Sequence, residues 1–440
     1  MQLHEQATQL TQKSNLAGGK RVLVISSDLL PYPGLPTVGS GLRAWGIGQG
    51  LLARGHKVLF SIPRAALTGR EHLAPPELLE LAWEHHNLVS VVRRARPDVV
   101  VVSNWPLMAN IPTGKLGVPV VLDQAGPHLL EREFQNFGDP QANARMKISA
   151  LQKADFFNCS GEMQFDYFKY WLTQAGWTEA EQQSLTGIIP FSISPDLPER
   201  RPDSELSFVY GGVFLPWQDP TNALSVLVNA LERRNAGRLL FFGGKHPVYS
   251  VNTGIFESLL ADLQRSPRVV TSGIIPYDEL ISRYTRAHVA VDLMKYNRER
   301  ELAFTTRTVV YLWCGLPVIY NNYSELSRYI ADYNAGWTLD PEDTAAIATV
   351  IEEILDDPAA VAERSQNAQR LVREALAWDK TITPIDEYIR RPTVRQHPQS
   401  AEPMAVSTLK YYVGEAWFHY KRAGLSGFLK ESWTFLKRQF

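Results

Sequence analysis

The sequence is poor in cysteine, in long apolar runs and in net charge, and each deficit excludes a class of protein. Its 440 residues include two cysteines, Cys159 and Cys314, both in apolar surroundings. This excludes a disulfide framework and a cysteine-based zinc site, and it fits a reducing compartment. No apolar run reaches the roughly 18 residues of a membrane span. A net charge of -1 gives no basic field that would favour nucleic acid.

The chain has the length and composition of two globular domains. Hydrophobic residues make up 45% and charged residues 21% of it, the balance of a soluble protein. Residues 1–20 are polar and lack the apolar core of a signal peptide, so we expect a disordered leader on a cytoplasmic protein. Residues 194–205 are rich in proline and charge, which predicts a linker between a domain of residues 21–195 and one of residues 196–375.

The first domain begins with the pattern of a βαβ unit. An apolar strand at 21–26 is followed by a loop rich in glycine and proline, a helix at 42–54 and a strand at 58–62. In that loop, Gly39, Ser40 and Gly41 allow a close approach of backbone to a ligand at a helix N-terminus. Ligands gather at the carboxyl ends of parallel strands, so the segment is a candidate cleft loop; the alternative is an ordinary loop.

A later strand end carries an acid and a histidine. The predicted strand at 119–122 runs into Asp123, and His128 follows five residues later. Side chains of these types at a strand end suit acceptor binding or general acid–base work. From these residues alone, a capped turn with a surface histidine is the favoured interpretation.

The most informative stretch is residues 301–322, ELAFTTRTVVYLWCGLPVIYNN. It predicts a loop, a helix, a turn and a strand, with Thr305, Thr306 and Arg307 at the start of the helix and Glu301 just before it. Two hydroxyls and a guanidinium beside free backbone N–H groups form a candidate diphosphate site. An ordinary capped helix is the alternative.

This stretch resembles the C-terminal domain of nucleotide-sugar glycosyltransferases of the GT-B fold, family 4 type, which carry a segment like T-[KR]-x-x-[ED]-Y-L-x-x-G-L-P-V-I. Residues 306–307, 311–312 and 315–319 match it. The resemblance implies that Arg307 contacts the donor diphosphate. It also implies an acid that holds the ribose hydroxyls, and at that position this chain has Val310 instead, which leaves the ribose contact without its usual partner.

The resemblance extends over residues 208–322, where a Gly-Gly…Pro-Trp loop, a Gly-Gly-Lys-His loop and an Ile-Pro-Tyr-Asp-Glu-Leu helix start occur in order. It implies an α/β protein of GT-B architecture: two facing, doubly wound Rossmann-like domains, with a helix at 376–390 that crosses back to the first. The donor-binding residues it implies are Gly212, Trp217, Gly244, Lys245, His246, Thr305, Thr306 and Arg307. The acceptor and cleft residues are Gly39, Ser40, Gly41, Asp123 and His128. The candidate catalytic residues are His128, Arg307 and Glu301.

The implied function is transfer of a sugar from a nucleotide-sugar donor to a saccharide, lipid-linked or other acceptor, in cell-surface polysaccharide or glycolipid synthesis. The resemblance further implies retention of anomeric configuration, no cofactor and no metal. Two alternatives remain open: an inactive binding or scaffold protein, for which Val310 argues, and a sugar-nucleotide epimerase or phosphorylase-like enzyme on the same fold. An epimerase needs paired cleft carboxylates, for which Glu131 and Glu301 are candidates.

Residues 391–440 differ in composition from the rest. A polar linker leads to a tail, 408–440, with six basic and two acidic residues and many aromatic ones. An amphipathic helix of this kind either packs on the body or lies on an anionic membrane surface. We therefore expect a cytoplasmic protein with a possible peripheral contact to the inner face of the membrane.

Overall fold

The computed structural model describes residues 18–84, 86–111 and 116–395. Within these residues the chain forms two sheets, each of six parallel strands, and a hydrophobic cluster covers both faces of each sheet. The predicted α/β class with two facing Rossmann-like domains is confirmed. The predicted leader, apart from residues 18–20, and the predicted tail, apart from 391–395, lie outside the described residues. No helix among the described residues is both long enough and apolar enough to cross a bilayer.

The first sheet has the strand order β2-β1-β3-β4-β5-β6. Its strands are β1 Arg21–Ile25, β2 Lys57–Ser61, β3 Val99–Ser103, β4 Val120–Gln124, β5 Phe156–Cys159 and β6 Thr186–Ile188. The helices that connect them are α1 Gly39–Ala53, α2 Arg64–Leu67, α3 Pro76–Glu80, α4 Leu88–Ala95, α5 Trp105–Ala109, α6 His128–Phe134, α7 Pro140–Gln152, α8 Glu162–Gln174 and α9 Glu179–Leu185. Strand β3 is buried along its whole length, as expected for a run of valines in a parallel sheet covered on both faces.

The second sheet has the order β12-β11-β10-β7-β8-β9. Its strands are β7 Ser207–Val213, β8 Arg238–Gly244, β9 Val269–Thr271, β10 Val289–Asp292, β11 Val318–Asn321 and β12 Gly336–Leu339. The helices are α10 Thr221–Arg234, α11 Phe256–Leu263, α12 Tyr277–Tyr284, α13 Arg298–Leu302, α14 Thr306–Trp313, α15 Glu325–Asp332, α16 Thr344–Asp356 and α17 Pro358–Leu371. Both sheets reverse their strand order beside the first strand, which creates a crevice at the carboxyl ends where ligands bind.

The end of the described chain returns to the first domain. After a π-helical turn at Val372–Leu376, helices α18 Trp378–Thr381 and α19 Thr383–Arg390 follow. The apolar side chains of α19 lie in the same cluster as the buried face of β1. Asp386 also contacts Nε2 of the fully buried His56 at 2.7 Å. This segment therefore fixes the two domains to one another behind the crevice.

Helix α1 begins at Gly39 rather than at residue 42, because its first turn lies directly against the loop after β1. A Cβ on Gly41 would stand 1.8 Å from the carbonyl oxygen of Leu29. Only glycine permits that approach of backbone to backbone. The predicted Gly-Ser-Gly turn is thus the first turn of the helix itself.

At one end of the crevice, a carboxylate of the second domain caps a helix of the first. The Oε1 and Oε2 atoms of Glu325 accept the backbone N–H groups of Glu162 and Met163 at 3.1 and 3.0 Å. A Cβ on Gly161 would stand 2.2 Å from Glu325 Oε2, so glycine makes room for the carboxylate. An acid at a helix N-terminus is favoured by the free N–H groups and by the helix dipole. This contact joins the two domains directly.

Candidate active site

A cavity of about 670 Å³ lies between the two sheets. On the first domain it is lined by the loops that follow β1, β3, β4 and β5, and on the second by those that follow β7, β8, β9 and β10 and by the start of α14. Both domains thus present the carboxyl ends of their strands to one space. Such a crevice is where ligands bind in open α/β sheets.

The guanidinium of Arg307 is held at the second-domain wall of the cavity by groups from three segments. Its Nη1 donates to the Tyr210 hydroxyl at 2.9 Å and to the Gly211 carbonyl at 3.0 Å, and Nη2 donates to Gln218. Its Nε lies 3.7 Å from the buried carboxylate of Asp292. The side chain is 13% exposed, so the cation is oriented in advance and still reaches the cavity.

The first turn of α14 beside Arg307 has no side-chain cap. Thr305 occupies the N-cap position, but its hydroxyl hydrogen-bonds to the Tyr320 hydroxyl at 2.8 Å instead of to the helix backbone. Thr306 faces the first domain, where a Cβ on Gly39 would stand 2.9 Å from its Oγ1. Free N–H groups and a cation at one helix N-terminus form an anion site.

The end of β7 is shaped to let Arg307 approach. Gly212 has a φ of +137°, a conformation that side chains disfavour, and a Cβ there would stand 2.8 Å from Arg307 Nη1. The Tyr311 hydroxyl accepts the N–H of Gly211 at 2.7 Å and lies 3.2 Å from its carbonyl. The glycine pair and the tyrosine therefore set the position of the guanidinium.

His246 of the second domain contacts Asp28 of the first domain across the cavity. His246 Nδ1 accepts the backbone N–H groups of Val248 and Tyr249 at 3.2 and 3.0 Å, which leaves the proton on Nε2. That nitrogen lies 3.3 Å from Oδ2 of Asp28 in the first domain. The Tyr249 hydroxyl also donates to the Ser27 carbonyl at 3.1 Å. His246 thus lines the cavity as part of a contact between domains.

The first-domain wall carries His128 and Glu131, one turn apart on α6. Burial lowers the pKa of His128 to about 4, and the positive charges of Lys147 and Arg132 act in the same direction. Its Nδ1 has no hydrogen-bond partner among the described residues. Burial raises the pKa of Glu131 to about 7, against the opposing effect of Arg300 and Arg132. At neutral pH this wall therefore presents a neutral imidazole beside a carboxyl whose pKa is raised by burial.

Helix α13 of the second domain packs against α6 and faces these groups. It contributes Glu299 and Arg300, which form a buried ion pair with contacts of 2.5 and 2.8 Å. Burial raises the pKa of Glu299, although Arg300 counteracts it. The pair lines the cavity with its charges mutually compensated.

Residues 198–371 match the family model described as "Glycosyl transferases group 1". This match covers most of the second domain. A glycogen synthase of Mycobacterium tuberculosis is 24% identical over 184 residues, and the match spans 41% of this chain and 41% of the relative, well under half of its length. The residues that match the family model include Arg307.

Solved structures with the same fold cover both domains. A sucrose-phosphate synthase from Thermosynechococcus elongatus has a TM-score of 0.61 at 18% identity, covering 84% of this chain and 98% of that one. The Anabaena protein Alr3699/HepE, in complex with UDP-glucose, has a TM-score of 0.58 at 16% identity, covering 84% and 99%. At these identities the likeness concerns the fold, which is the two-domain glycosyltransferase architecture known as GT-B.

Most of the predicted site residues of this glycosyltransferase fold line the cavity. They are Gly39, Ser40, His128, Gly212, Trp217, His246, Thr305, Thr306 and Arg307. Loops from five strands bring them together, although Gly39 and Arg307 are more than 260 residues apart in the chain. The structure does not place all the predicted residues there.

Asp123 lies beneath the cavity. Its carboxylate is 1% exposed and forms an ion pair with Arg43 at 2.9 Å. Arg43 also donates to the carbonyls of Ile189 and Pro190. Asp123 therefore neutralises a buried cation that holds the end of the first domain in place, and it does not reach an acceptor from this position.

Glu301, Lys245, Gly244 and Gly41 also lie outside the cavity lining. Glu301 accepts hydrogen bonds from Tyr296 and Arg298 at the surface. Lys245 is 73% exposed and pairs with Glu257 at 2.8 Å. Because Glu301 lies outside the lining, the pair Glu131 and Glu301 that the epimerase alternative named does not meet in the cavity. Glu299, two residues earlier, is the carboxylate of α13 that lines the cavity.

Val310 lies one turn beyond Arg307 on α14 and lines the cavity with a 3% exposed side chain. Its neighbours in the same hydrophobic cluster include Phe242 and Tyr284, which also line the cavity. The wall next to the cation is therefore apolar where the family pattern has an acid.

Proposed function

We propose that the protein is a glycosyltransferase that transfers a sugar from a nucleotide-sugar donor to an acceptor hydroxyl bound in the interdomain cavity. The observation that carries this proposal is the preorganised Arg307 at the uncapped N-terminus of α14, in a domain that matches the glycosyl transferases group 1 model. A departing nucleoside diphosphate develops negative charge, and fixed cations and N–H dipoles stabilise it.

We take a UDP-sugar as the donor. The Anabaena protein forms a complex with UDP-glucose, and this chain shares its fold over both domains. The apolar wall around Val310 suits the nucleoside, while Arg307 and the start of α14 suit the diphosphate. The acceptor then enters from the first-domain side, where His128 and the loop after β1 present polar groups.

Thermal stabilisation by a panel of nucleotides and nucleotide sugars tests this assignment. A ligand that binds only the folded chain raises its melting temperature by mass action. We expect UDP and UDP-glucose to give the largest shifts, and UDP release from UDP-glucose to accompany them. Arg307→Ala should reduce these shifts, whereas Arg265→Ala, which alters an 80% exposed arginine outside the cavity lining, should leave them unchanged. Absence of any nucleotide-dependent shift would refute the proposal.

We also propose that the transfer retains anomeric configuration and needs no metal, as the resemblance implies. The diphosphate charge is met by Arg307 and the N–H groups of α14. Turnover should therefore be unchanged by EDTA. Complete loss of turnover on chelation, restored by Mg²⁺ or Mn²⁺, would contradict this.

A second candidate is a protein that binds a nucleotide without turning over a donor, which Val310 favours because the cavity has an apolar side chain at the position of the family's acid. The same panel separates the two candidates. Binding of UDP with no release of UDP from any nucleotide sugar would support the binding protein.

We propose a role in cell-surface polysaccharide or glycolipid synthesis, in which the basic, aromatic tail 408–440 meets an anionic membrane surface. Basic residues near such a surface contribute about 1 kcal/mol each. The full chain should float with anionic vesicles at low salt and less at high salt. Equal flotation of a chain truncated after residue 405 would exclude the tail as the contact.

A further inference from the structure

Asn104 lies between β3 and α5, at the carboxyl end of an interior strand of the first sheet, and lines the cavity. Its backbone has a φ of 67° and a ψ of 153°. Glycine adopts this combination freely, whereas residues with a Cβ almost never do. Asn104 is therefore a strained residue on the first-domain wall of the proposed active site.

The strain at Asn104 differs from that at the other non-glycine residues with a positive φ. Within the described chain these are Arg96, Asn136, Asn235 and Asn334, and none of them lines the cavity. Asn235 has a φ of 48° and a ψ of 37°, the ordinary left-handed helical conformation that asparagine tolerates. The usual preference of asparagine for such turns therefore does not explain Asn104.

Three hydrogen bonds hold the strained residue in place. The N–H of Asn104 donates to the Asp123 carbonyl at 2.9 Å, and its carbonyl accepts the N–H of Met108 at 3.2 Å. Its Oδ1 accepts the N–H of Leu107 at 3.0 Å and so caps α5. A glycine would make both backbone bonds without strain, and glycine is only slightly worse than asparagine as an N-cap. Asparagine at this position therefore indicates that its side chain has a use besides capping.

The cap fixes the direction of the amide group of Asn104. Because Oδ1 faces the helix N–H, Nδ2 is directed away from the helix backbone. Among the described residues this Nδ2 has no hydrogen-bond partner, and unlike the unpartnered Nε1 of Trp105 it is not buried. Asn110, another asparagine of the cavity lining, uses its Nδ2 to donate to the Pro106 carbonyl at 3.0 Å. Asn104 thus offers the cavity a fixed and unengaged N–H donor.

The position of this donor suits the acceptor rather than the nucleotide. Asn104 belongs to the first-domain wall, whereas Arg307 and the start of α14 belong to the second. A neutral amide donates to a hydroxyl oxygen without introducing a charge. The same wall carries Glu131, which has no hydrogen bond and no ion pair within 4 Å among the described residues and can accept from a hydroxyl. A sugar presents hydroxyl groups of both kinds.

We propose that Asn104 determines acceptor specificity by donating a hydrogen bond from Nδ2 to a hydroxyl oxygen of a glycoside acceptor, an inference that rests on the proposed glycosyltransferase function. The amide takes up no proton and forms no covalent bond. This role is therefore compatible with a transfer that retains anomeric configuration.

The test compares two substitutions of Asn104 with a control. Asn104→Gly removes the donor and also relieves the strain. Asn104→Asp keeps the cap, because aspartate is an equally good N-cap, but presents only acceptor oxygens to the cavity. The control is Asn235→Gly, which changes a left-handed asparagine outside the cavity lining.

Transfer is measured from whichever of UDP-, ADP-, GDP- and dTDP-glucose the wild type cleaves fastest. The acceptor probes are the p-nitrophenyl glycosides of glucose, galactose, mannose and N-acetylglucosamine. We expect both Asn104 variants to raise the KM for the glycoside by about three- to tenfold, the effect of one neutral hydrogen bond. The kcat, the Kd of the nucleoside diphosphate and the hydrolysis of the donor by water should stay within about 1.5-fold of wild type. Asn235→Gly should leave all of these values unchanged.

Melting temperatures separate acceptor binding from a purely structural role. Asn104→Gly should melt at the wild-type temperature or above it, because the strain is lost with the side chain. Residue 104 serving only as a cap would instead give a lower melting temperature in Asn104→Gly and a wild-type KM in Asn104→Asp.

A wild-type KM in either Asn104 variant would overturn the inference, and so would a wild type that cleaves a donor but transfers to none of the four glycosides. In both cases the proposed function still stands, because donor turnover is intact. A wild type that binds no nucleotide and cleaves none of the four donors defeats the proposed function, and this inference fails with it.

Discussion

The two walls of the cavity differ in how their charges are arranged. On the second-domain wall, Arg307 is fixed by Tyr210, Gln218 and Asp292, and Arg300 is matched by Glu299. On the first-domain wall, His128 and Glu131 line the cavity with no partner for His128 Nδ1 among the described residues. Fixed, paired charges suit a ligand with constant charge, such as a diphosphate. The first-domain wall instead carries groups whose pKa values are shifted by burial, so its charge can change with pH.

The largest expected effect is on the free energy of unfolding. It should come from the buried ion pair of Asp123 and Arg43 beneath the first-domain wall. Asp123→Ala leaves the guanidinium of Arg43 buried without its counter-ion, which costs about 3–5 kcal/mol of stability. We expect this loss in the free energy of unfolding from urea denaturation. The matched control is Asp262→Ala, which breaks a surface pair with Arg265 and should cost less than about 1 kcal/mol. Equal effects of the two substitutions would show that the Asp123 pair does not support the wall.

The unpaired state of Glu131 should be visible in stability as a function of pH. Its folded-state pKa of about 7 is above the ordinary 4.5, so the folded chain holds the proton more tightly than the unfolded chain. Stability is therefore lost as pH rises from about 4.5 to about 7, by up to about 3 kcal/mol. Glu131→Gln lacks this loss, so it should melt above the wild type at pH 8 and together with it at pH 4. A difference that is independent of pH would contradict the assignment.

The smallest of these effects concerns ligand binding at the second wall. Arg307→Ala should weaken binding of the nucleoside diphosphate by about tenfold to a hundredfold, because charge-assisted hydrogen bonds contribute about 1.5–3 kcal/mol. Isothermal titration with UDP measures this. Because Asp292 loses a nearby cation in this variant, its melting temperature should be measured alongside. Undiminished UDP affinity in a folded Arg307→Ala variant would show that the anion site has been misassigned.

The sequence predicts the elements more reliably than the directions of their side chains. The strand predicted at 21–26 is observed as β1 Arg21–Ile25, because a continuous apolar run at the start of a βαβ pattern has few other interpretations. On the five-residue helix α13, however, no periodicity distinguishes Glu299 from Glu301 as the residue that faces the cavity. Lys245 and His246 are adjacent, and only the turn of the loop decides that the second points inward.

The sequence also does not predict the role of a residue whose interaction partner is distant in the chain. In the sequence Asp123 looks like a cleft acid. In the structure its carboxylate forms an ion pair with Arg43, 80 residues earlier in the chain. The pKa values of Glu131 and His128 depend on Arg300 and Lys147, which other helices bring close. Such couplings arise from tertiary packing and leave no local pattern in the sequence.

The Glu325 cap on α8 links hydrogen exchange at two amides to the separation of the two domains. The amides of Glu162 and Met163 are protected only while a carboxylate of the other domain is seated on them. When the domains separate, both amides are exposed to water and exchange their hydrogens, although α8 itself remains folded. Hydrogen exchange at these two positions therefore counts how often the crevice opens, independently of any unfolding of the helix. A bound donor that holds the crevice shut should slow that exchange. The exchange rate of these two amides therefore reports closure of the domains without any added label.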